Sequence, residues 1–405
     1  MATEHPQGPG AAAPAVAALS ARPAVPLHGA PAAWCTPDDD LTLRCIDVRR
    51  ETHDVSTFAF AADDGRWVAF QAGQYLPIEV EIDGEVHGRC YSLSSSALQP
   101  QVLAVTVKRV AGGRVSNWLH DHLRPGMTLR SRPPAGGFVL PALDGAAADA
   151  AGLPPMWLVS GGSGITPVMA MLRTLADARC HPDIVFLHAG RTPADLVFRD
   201  ELQWRARTTP GLRLLFLPES VAGEPGYTGV TGRLGEGLLQ ALVPDLARRR
   251  VLCCGPAPFM AAVRTLSAAL GVPAAHYSEE SFTGGDLAVA PSAEPGAAAV
   301  ATASTTPEVA GQDGATAAPA WTVTFSKQDR CVPVAAGQTV LAAARQAGIS
   351  IPSSCGNGLC GTCKSRLSAG KVEMAHTGGI RQREIDAGFF LPCCAKPVTD
   401  LVVER

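Results

Sequence analysis

Between Leu41 and about Leu140 the chain alternates apolar and polar positions in short runs, among them Thr57-Phe58-Ala59-Phe60, Leu76-Pro77-Ile78-Glu79-Val80 and Leu103-Ala104-Val105-Thr106-Val107. Turn residues such as Asp83-Gly84 and Pro125-Gly126 separate them. A period of two interrupted this often predicts half-buried antiparallel strands, enough of them to curl into a small barrel. After about Ala146 the period changes. Apolar runs at residues 156–160 and 184–188 are each followed by a longer helical segment, at 168–178 and 194–205. Strand and helix in alternation predict a doubly wound parallel α/β sheet. A third unit begins near Trp321 with Thr322-Val323-Thr324-Phe325, continues through a helical segment at 340–347 and enters a cysteine-rich loop.

Two stretches lack any such period. Residues 1–36 are mostly Ala, Pro and Gly and read as a disordered tail, whereas residues 286–319 carry no Lys, Arg or aromatic residue and have the composition of a flexible linker. The expected organisation is a tail over 1–36, a barrel over 37–145, an α/β domain over 146–285, a linker over 286–319 and a cysteine-rich domain over 320–405. A chain of 405 residues suffices for two or three domains with cores of their own.

Charge and composition narrow the function classes. With 34 basic against 37 acidic residues the chain lacks the basic excess that DNA or RNA affinity needs. The best apolar candidate, near 156–172, is interrupted by Gly161-Gly162-Ser163-Gly164 and Pro167, so no membrane-spanning helix is expected. Pro6, Pro9, Pro14, Pro23, Pro26 and Pro31 break up the N-terminus where a secretory signal would carry its apolar core, and a cytoplasmic protein is expected. Four of the twelve cysteines fall in a metal-ligand spacing, which fits reduced thiols better than a disulfide framework.

That spacing is Cys355-x4-Cys360-x2-Cys363, followed after 29 residues by Cys393, the plant-type pattern for a 2Fe-2S cluster. Ferric iron is held by soft, anionic sulfur. Gly356, Gly358 and Gly361 let the loop wrap closely, so that backbone N–H groups can face the sulfurs. A structural zinc site is the alternative, but such sites usually pair two short CxxC-like units. The segment resembles plant-type ferredoxins, which implies a β-grasp fold. In that family the last ligand precedes a proline by four positions, so Pro397 selects Cys393 and leaves Cys394 a buried bystander.

Arg89-Cys90-Tyr91-Ser92, on a predicted barrel strand, resembles the R-x-Y-S flavin motif of the ferredoxin-NADP reductase superfamily. The resemblance implies that Arg89 pairs with the flavin pyrophosphate, that Cys90 and Tyr91 line the flavin with the tyrosine ring packed on it, and that the Ser92 hydroxyl lies near N5, where hydride arrives. Val107-Lys108-Arg109 and Gly112-Gly113-Arg114-Val115-Ser116-Asn117 follow at the superfamily's distance. The second segment resembles the one that holds the FAD phosphates. Val107, Lys108, Gly113, Arg114, Val115 and Ser116 therefore join the expected FAD site, with FMN as the alternative because a helix N-terminus accepts either phosphate.

Gly161-Gly162-Ser163-Gly164-Ile165-Thr166-Pro167 follows an apolar run and opens a helix, so its N–H groups and dipole suit a pyrophosphate. It departs from GxGxxG and resembles the G-G-T/S-G-I-x-P signature of the same superfamily. Gly161, Gly162, Ser163, Gly164, Thr166 and Pro167 are accordingly expected nucleotide contacts. Cys254-Gly255-Pro256 resembles the C-G-P segment that ends the last parallel strand beside the nicotinamide, implying that the Cys254 thiol packs against that ring. A nucleophilic cysteine is the other reading, and no histidine lies nearby in sequence to activate it. Glu280-Ser281-Phe282 resembles the Glu-x-aromatic ending of the superfamily, which implies Phe282 stacked on the flavin and Glu280 near the hydride path; here the chain continues into a linker. Arg191, after the second apolar run, can meet the 2′-phosphate of NADPH, yet many relatives with an Arg-Thr-Pro-like segment here are NADH enzymes, and NADH is the expected donor.

The order of the three units resembles the NADH-dependent electron-transfer reductases of multicomponent oxygenases and of hybrid-cluster protein. His376-Thr377-Gly378-Gly379-Ile380 resembles a segment in FAD-containing reductases of Rieske-type demethylases, whereas phthalate-dioxygenase-type reductases share the order but use FMN. The resemblance implies an enzyme passing electrons from NADH through FAD and a 2Fe-2S cluster to a terminal oxygenase or other redox protein, with Ser92, Cys254 and Glu280 as the catalytic set. Two other classes remain in view: a flavin and iron–sulfur redox sensor with little turnover, and a hydrolase or transferase, for which Cys254 and the histidines show no catalytic spacing.

Overall fold

The computed structural model describes residues 33–36, 39–140, 153–281, 321–349, 351, 356, 358, 361, 363–376 and 379–405. Most of the expected tail, the whole expected linker, Phe282, Cys355 and Cys360 lie outside the described residues.

Six strands form the first sheet: β1 (Leu41–Arg50), β2 (Val55–Ala62), β3 (Tyr75–Ile82), β4 (Glu85–Ser92), β5 (Leu103–Lys108) and β6 (Thr128–Ser131). Their order is β4-β3-β6-β1-β2-β5 and every pairing is antiparallel. A bridge between Leu93 and Val105 joins the two edges and closes the barrel. Its hairpin β3–β4 turns on Asp83 and Gly84 at φ 55° and 77°, the positive pair that a two-residue turn between twisted strands needs. Alternate residues Leu43, Phe58, Phe60, Leu76, Ile78, Leu103 and Val105 fill the interior, and helix α1 (Arg114–His122) closes one end with Val115 and Leu119. The chain reaches the barrel within the expected tail: Trp34 bridges to Trp67, the two indoles edge to face at 5.6 Å.

The second sheet is parallel throughout, in the order β11-β10-β7-β8-β9. It comprises β7 (Met156–Gly161), β8 (Ile184–Gly190), β9 (Leu212–Pro218), β10 (Arg250–Cys254) and β11 (Tyr277–Glu280), joined through α2 (Ile165–Asp177), α3 (Arg199–Thr208), α4 (Glu236–Leu242) and α5 (Ala257–Ala269). Met156 and Leu158 face a core shared with α2 and α3, while Trp157 and Val159 face α4 and α5. Near-continuous apolar strands follow from burial on both faces. The chain direction across the sheet reverses between β7 and β10, which opens a crevice above their C-terminal ends.

Two helices differ from expectation. Helix α2 begins at Ile165, three residues before the expected start, because a proline in the first turn lacks only an N–H that would be unpaired there anyway. Helix α3 begins at Arg199 rather than near 194. Pro193–Asp195 form one 3-10 turn, boxed by Thr192 and Asp195, and Phe198 at φ 58° redirects the chain. Phe198 is buried beneath the Arg173 guanidinium, 4.6 Å from the ring centroid.

The third unit holds β12 (Trp321–Phe325), β13 (Arg330–Val334), β14 (Ser365–Ala369), β16 (Phe389–Phe390) and β18 (Leu401–Glu404) in the order β13-β12-β18-β14-β16, with β12 and β18 parallel. Strands β15 (Val372–Met374) and β17 (Ala395–Pro397) pair beside it, and α6 (Val340–Gln346) packs Leu341 and Ala344 onto the sheet. A mixed sheet around one crossing helix is the expected β-grasp arrangement. Helix α7 (Gln382–Asp386) lies at the edge of that core, with Ile385 packed against it. Among the described residues, no helix is long and apolar enough to cross a membrane.

Candidate functional site

The barrel and the α/β domain are fastened together beside the crevice. Arg173 of α2 forms a two-pronged pair with Glu201 and donates through Nη1 to the Ser94 carbonyl at 2.6 Å. Thr174 Oγ1 accepts from Ala97 N–H at 2.9 Å, and Gln99 Nε2 donates to Asp177 at 2.8 Å. This clamp places the end of β4 against the end of β11. There Ser92 Oγ donates to Glu280 Oε2 at 2.8 Å. Burial pushes the Glu280 carboxyl up to about 7, with the Ser92 hydrogen bond pulling the other way.

Along β10, Cys253 and Cys254 are the last two strand residues, and both are buried. Cys254 pairs in register with Ser160 of β7 on one side and Glu280 of β11 on the other. Burial raises its thiol well above the ordinary range, which favours the uncharged form. Gly164 faces it: a Cβ there would lie 2.4 Å from the Cys254 carbonyl oxygen. Only glycine lets the start of α2 approach the end of β10 this closely. Gly161, Gly162, Ser163, Thr166 and Pro167 line the turn, with Gly162 at φ 53° and the Thr166 hydroxyl donating back to the Ser163 carbonyl at 3.2 Å. Gly255 and Pro256 follow at the opposite lip.

The R-x-Y-S residues are where the sequence places them, on β4, with Arg89, Cys90 and Tyr91 half-buried and Ser92 buried. Tyr91 packs on the barrel core, and Arg89 donates to the Gly88 carbonyl at 2.8 Å. Val107 is buried, and Lys108 pairs with Asp54 at 3.2 Å. Gly113 is the N-cap of α1; Arg114 pairs with Asp83 at 2.9 Å, fixing the helix start against the β3–β4 hairpin, and Val115 points into the core. The Ser116 hydroxyl is turned inward, accepting from Val110 N–H at 3.3 Å. Arg191 stands away from this junction, its guanidinium 3.4 Å from Asp195 and 3.9 Å from Asp54.

In the third unit, Cys363 and Cys393 are both buried at the edge of the apolar core. Gly358 N–H donates to Cys393 Sγ at 3.2 Å, whereas Cys394 Sγ points to the Leu391 carbonyl at 3.7 Å. An amide aimed at a sulfur is the environment a thiolate ligand needs, so the described cysteines fit a cluster loop in which Cys393 faces inward. Gly358 at φ 75° could carry no side chain, since a Cβ would stand 2.6 Å from Cys394 Sγ. The flavin and nucleotide segments fit their groups on similar grounds: a glycine turn at a helix start, a half-buried strand carrying Arg and Tyr, and a serine–carboxyl contact between them.

Sequence reasoning missed three residues with structural work at or near the site. His188 is fully buried between Ser160 Oγ, 2.9 Å from Nδ1, and Val197 N–H, which donates to Nε2 at 3.2 Å. Arg249, also buried, bridges Asp183 and Asp245, each at 2.7 Å, below the start of β10. Arg132 reaches from the barrel to the cysteine loop. Local pattern does not mark them, because partners that define their roles are remote in sequence: Ser160 for His188, Asp183 for Arg249 and Gly379 for Arg132.

Comparison with known proteins agrees with this geometry. Residues 42–140 match the oxidoreductase FAD-binding domain family, 158–265 the oxidoreductase NAD-binding domain family and 323–398 the 2Fe-2S iron-sulfur cluster binding domain family. The glycine betaine monooxygenase reductase subunit of Pseudomonas aeruginosa is 39% identical over 362 residues, covering 89% of this chain and 94% of that protein. The stachydrine N-demethylase reductase subunit of Rhizobium meliloti is 34% identical over 365 residues, covering 89% and 96%. Phthalate dioxygenase reductase has the same three-part fold, with a TM-score of 0.52 at 22% identity over 92% of this chain and 100% of that one. With FAD-binding, NAD-binding and 2Fe-2S domains in one chain and relatives this similar over nearly their whole length, the chain belongs to the family of oxygenase reductase components.

Proposed function

We propose that this chain draws electrons from NADH and delivers them from its 2Fe-2S domain to a terminal oxygenase, a Rieske-type demethylase or hydroxylase as the sequence resemblance implies; its relatives' names describe a monooxygenase and an N-demethylase. When bound, FAD accepts two electrons as hydride and releases them singly, which joins a nicotinamide to a one-electron cluster. The observation carrying this reading is the Ser92–Glu280 contact, made where the flavin strand, the glycine turn and Cys254 converge.

The chain's own groups position and shield. Arg89 would hold the flavin pyrophosphate and Cys90 and Tyr91 would line the ring; the turn from Gly113 to Ser116, with Val107 and Lys108 beside it, would meet the phosphate end through its backbone, the Val107, Val115 and Ser116 side chains being turned inward. Gly161 to Gly164, with Thr166 and Pro167, cradle the nucleotide pyrophosphate at the start of α2. Cys254, with Gly255 and Pro256, gives the nicotinamide a small uncharged surface, and Glu280 holds or releases a proton beside it. Phe282, which lies outside the described residues, would stack on the flavin as the superfamily resemblance implies. Cys355, Cys360, Cys363 and Cys393 ligate the cluster.

Arg191 already faces Asp54 and Asp195, so a 2′-phosphate approaching it meets two carboxylates. That electrostatic arrangement favours NADH. The compartment is the cytoplasm, a reading supported by four cysteines in a metal-ligand spacing that suits a cluster better than a disulfide framework.

An absorbance spectrum of the purified chain tests the proposal. Oxidised flavin and 2Fe-2S bands, both bleached by anaerobic NADH, with FAD recovered on extraction, are expected; a chain lacking either chromophore sinks it. Arg89→Ala should weaken flavin retention by about 1.5–3 kcal/mol, the worth of a hydrogen bond to a charged group.

A further inference from the structure

The barrel and the 2Fe-2S domain meet through charged contacts that the electron-transfer reading leaves unused. Asp40, just before β1, accepts from Arg381 Nη1 at 2.9 Å and from Arg383 Nη2 at 2.6 Å, while Arg381 also donates to the Asp39 carbonyl at 2.6 Å. The Arg381 side chain is 7% exposed, so this pair is shielded from solvent on the arginine side. Nearby, Arg132, the residue after β6, donates to the Gly379 carbonyl at 3.3 Å. Its guanidinium also lies against Gly361 in the cysteine loop, where a Cβ would stand 2.9 Å from Nη2.

From Gly379 the contacts run on to the sulfur. Gly379 N–H donates to the Gly358 carbonyl at 3.0 Å, and Gly358 N–H donates to Cys393 Sγ at 3.2 Å. Glu79 of β3 pairs with Arg132 at 3.4 Å from the barrel side, so the positive end of that pair is the one on the loop. Across the contact, Lys364 is paired with Glu384.

We propose that Arg132 is a positioning residue for electron entry into the cluster. With the contact of Asp40 to Arg381 and Arg383, it docks the cysteine loop on the barrel and holds a positive charge there, so the docked domain accepts an electron more readily than the released one. The inference rests on reading the chain as a flavin and 2Fe-2S reductase. Reduction adds one negative charge to the cluster, and a cation in partly buried contact favours that form; once the domain leaves, water screens the effect. By linkage, reduction also tightens docking, so an acceptor must compete with the barrel for the loop. The wider charge distribution agrees: residues 320–405 carry 10 basic against 6 acidic residues, and the remainder of the chain 24 against 31.

The test uses the full chain with FAD and cluster bound. The cluster potential is read from an EPR-monitored redox titration with the flavin potential as internal reference, and docking is read by small-angle X-ray scattering. Arg132→Gln should shift the cluster potential negative at unchanged cluster content and flavin potential, and Arg132→Lys should restore most of the shift. Asp40→Arg should enlarge the radius of gyration and shift the potential in the same direction. An Arg132→Gln potential equal to the wild type, or an Asp40→Arg scattering profile superimposable on it, overturns the proposal. A wild-type chain with no EPR signal on reduction overturns the underlying reading instead.

Discussion

Ser92 and Glu280, 188 residues apart, are joined by a 2.8 Å hydrogen bond that ties the flavin strand to the last strand of the nucleotide domain. Neither group is remote from the other's chemistry: the hydroxyl moderates a carboxyl that burial has pushed up to about 7. The carboxylate form favours the cation that NADH becomes on losing hydride. Flavin reduction by NADH should therefore rise with pH through an inflection near 7, and Glu280→Gln should flatten the profile. Stopped-flow rates between pH 5.5 and 8.5, about 1.5 units either side of that inflection, decide it. An inflection that survives in the variant assigns it elsewhere.

Gly164 offers a steric test. A methyl group there would stand 2.4 Å from the Cys254 carbonyl oxygen and 2.6 Å from the Gly255 Cα, so α2 and the end of β10 must separate. Gly164→Ala should raise the KM for NADH and slow flavin reduction while FAD content stays near normal. Full activity in that variant would show that the close approach is dispensable.

The adjacent cysteines separate cleanly by variant. Cys393→Ser should lose most of the 2Fe-2S absorbance, and Cys394→Ser should keep it, because the Gly358 amide donates to Cys393 Sγ whereas Cys394 Sγ points to the Leu391 carbonyl. NADH should still reduce the flavin in both. The reverse pattern of cluster loss would exchange the two roles.

Nucleotide choice turns on Arg191 and its two carboxylate neighbours. NADH should outperform NADPH in kcat/KM. Asp54→Asn should narrow that gap by removing one of the repelling charges, and Arg191→Ala should remove residual NADPH activity selectively. Equal losses for both nucleotides in Arg191→Ala would show that the side chain does not read the 2′-phosphate.

His188 predicts acid sensitivity. Burial lowers its pKa from the ordinary histidine range to about 3, with a hydrogen bond to Ser160 pulling the other way. Between about 6.5 and 3 the unfolded chain binds a proton that the folded chain does not, so stability is full above that window and falls as pH drops through it. His188→Asn should lower stability at pH 7 but lessen its dependence on pH over the window. Denaturant midpoints at pH 7 and pH 5 measure both effects.

Periodicity and spacing are one-dimensional properties, and they determined a great deal here. The alternating runs that became β2, β3 and β5, the apolar runs of β7 and β8 and the cysteine spacing could all be read along the chain, because hydrogen-bonded strands and a wrapped metal loop impose local rules on neighbouring residues. Helix α3 marks where that legibility ended. Its first turns were misread because Phe198 at φ 58° is stabilised by burial beneath Arg173, a partner from another helix. Ser92 and Glu280 were each singled out by their motifs, but only the clamp of Arg173 and Thr174 on the loop after β4 brings them into contact. Arg132, Asp40 and Arg381 carried no local signal at all. Their meaning comes from the docking of one folded surface on another, and free energy of that kind depends on distances through space that sequence separation does not encode.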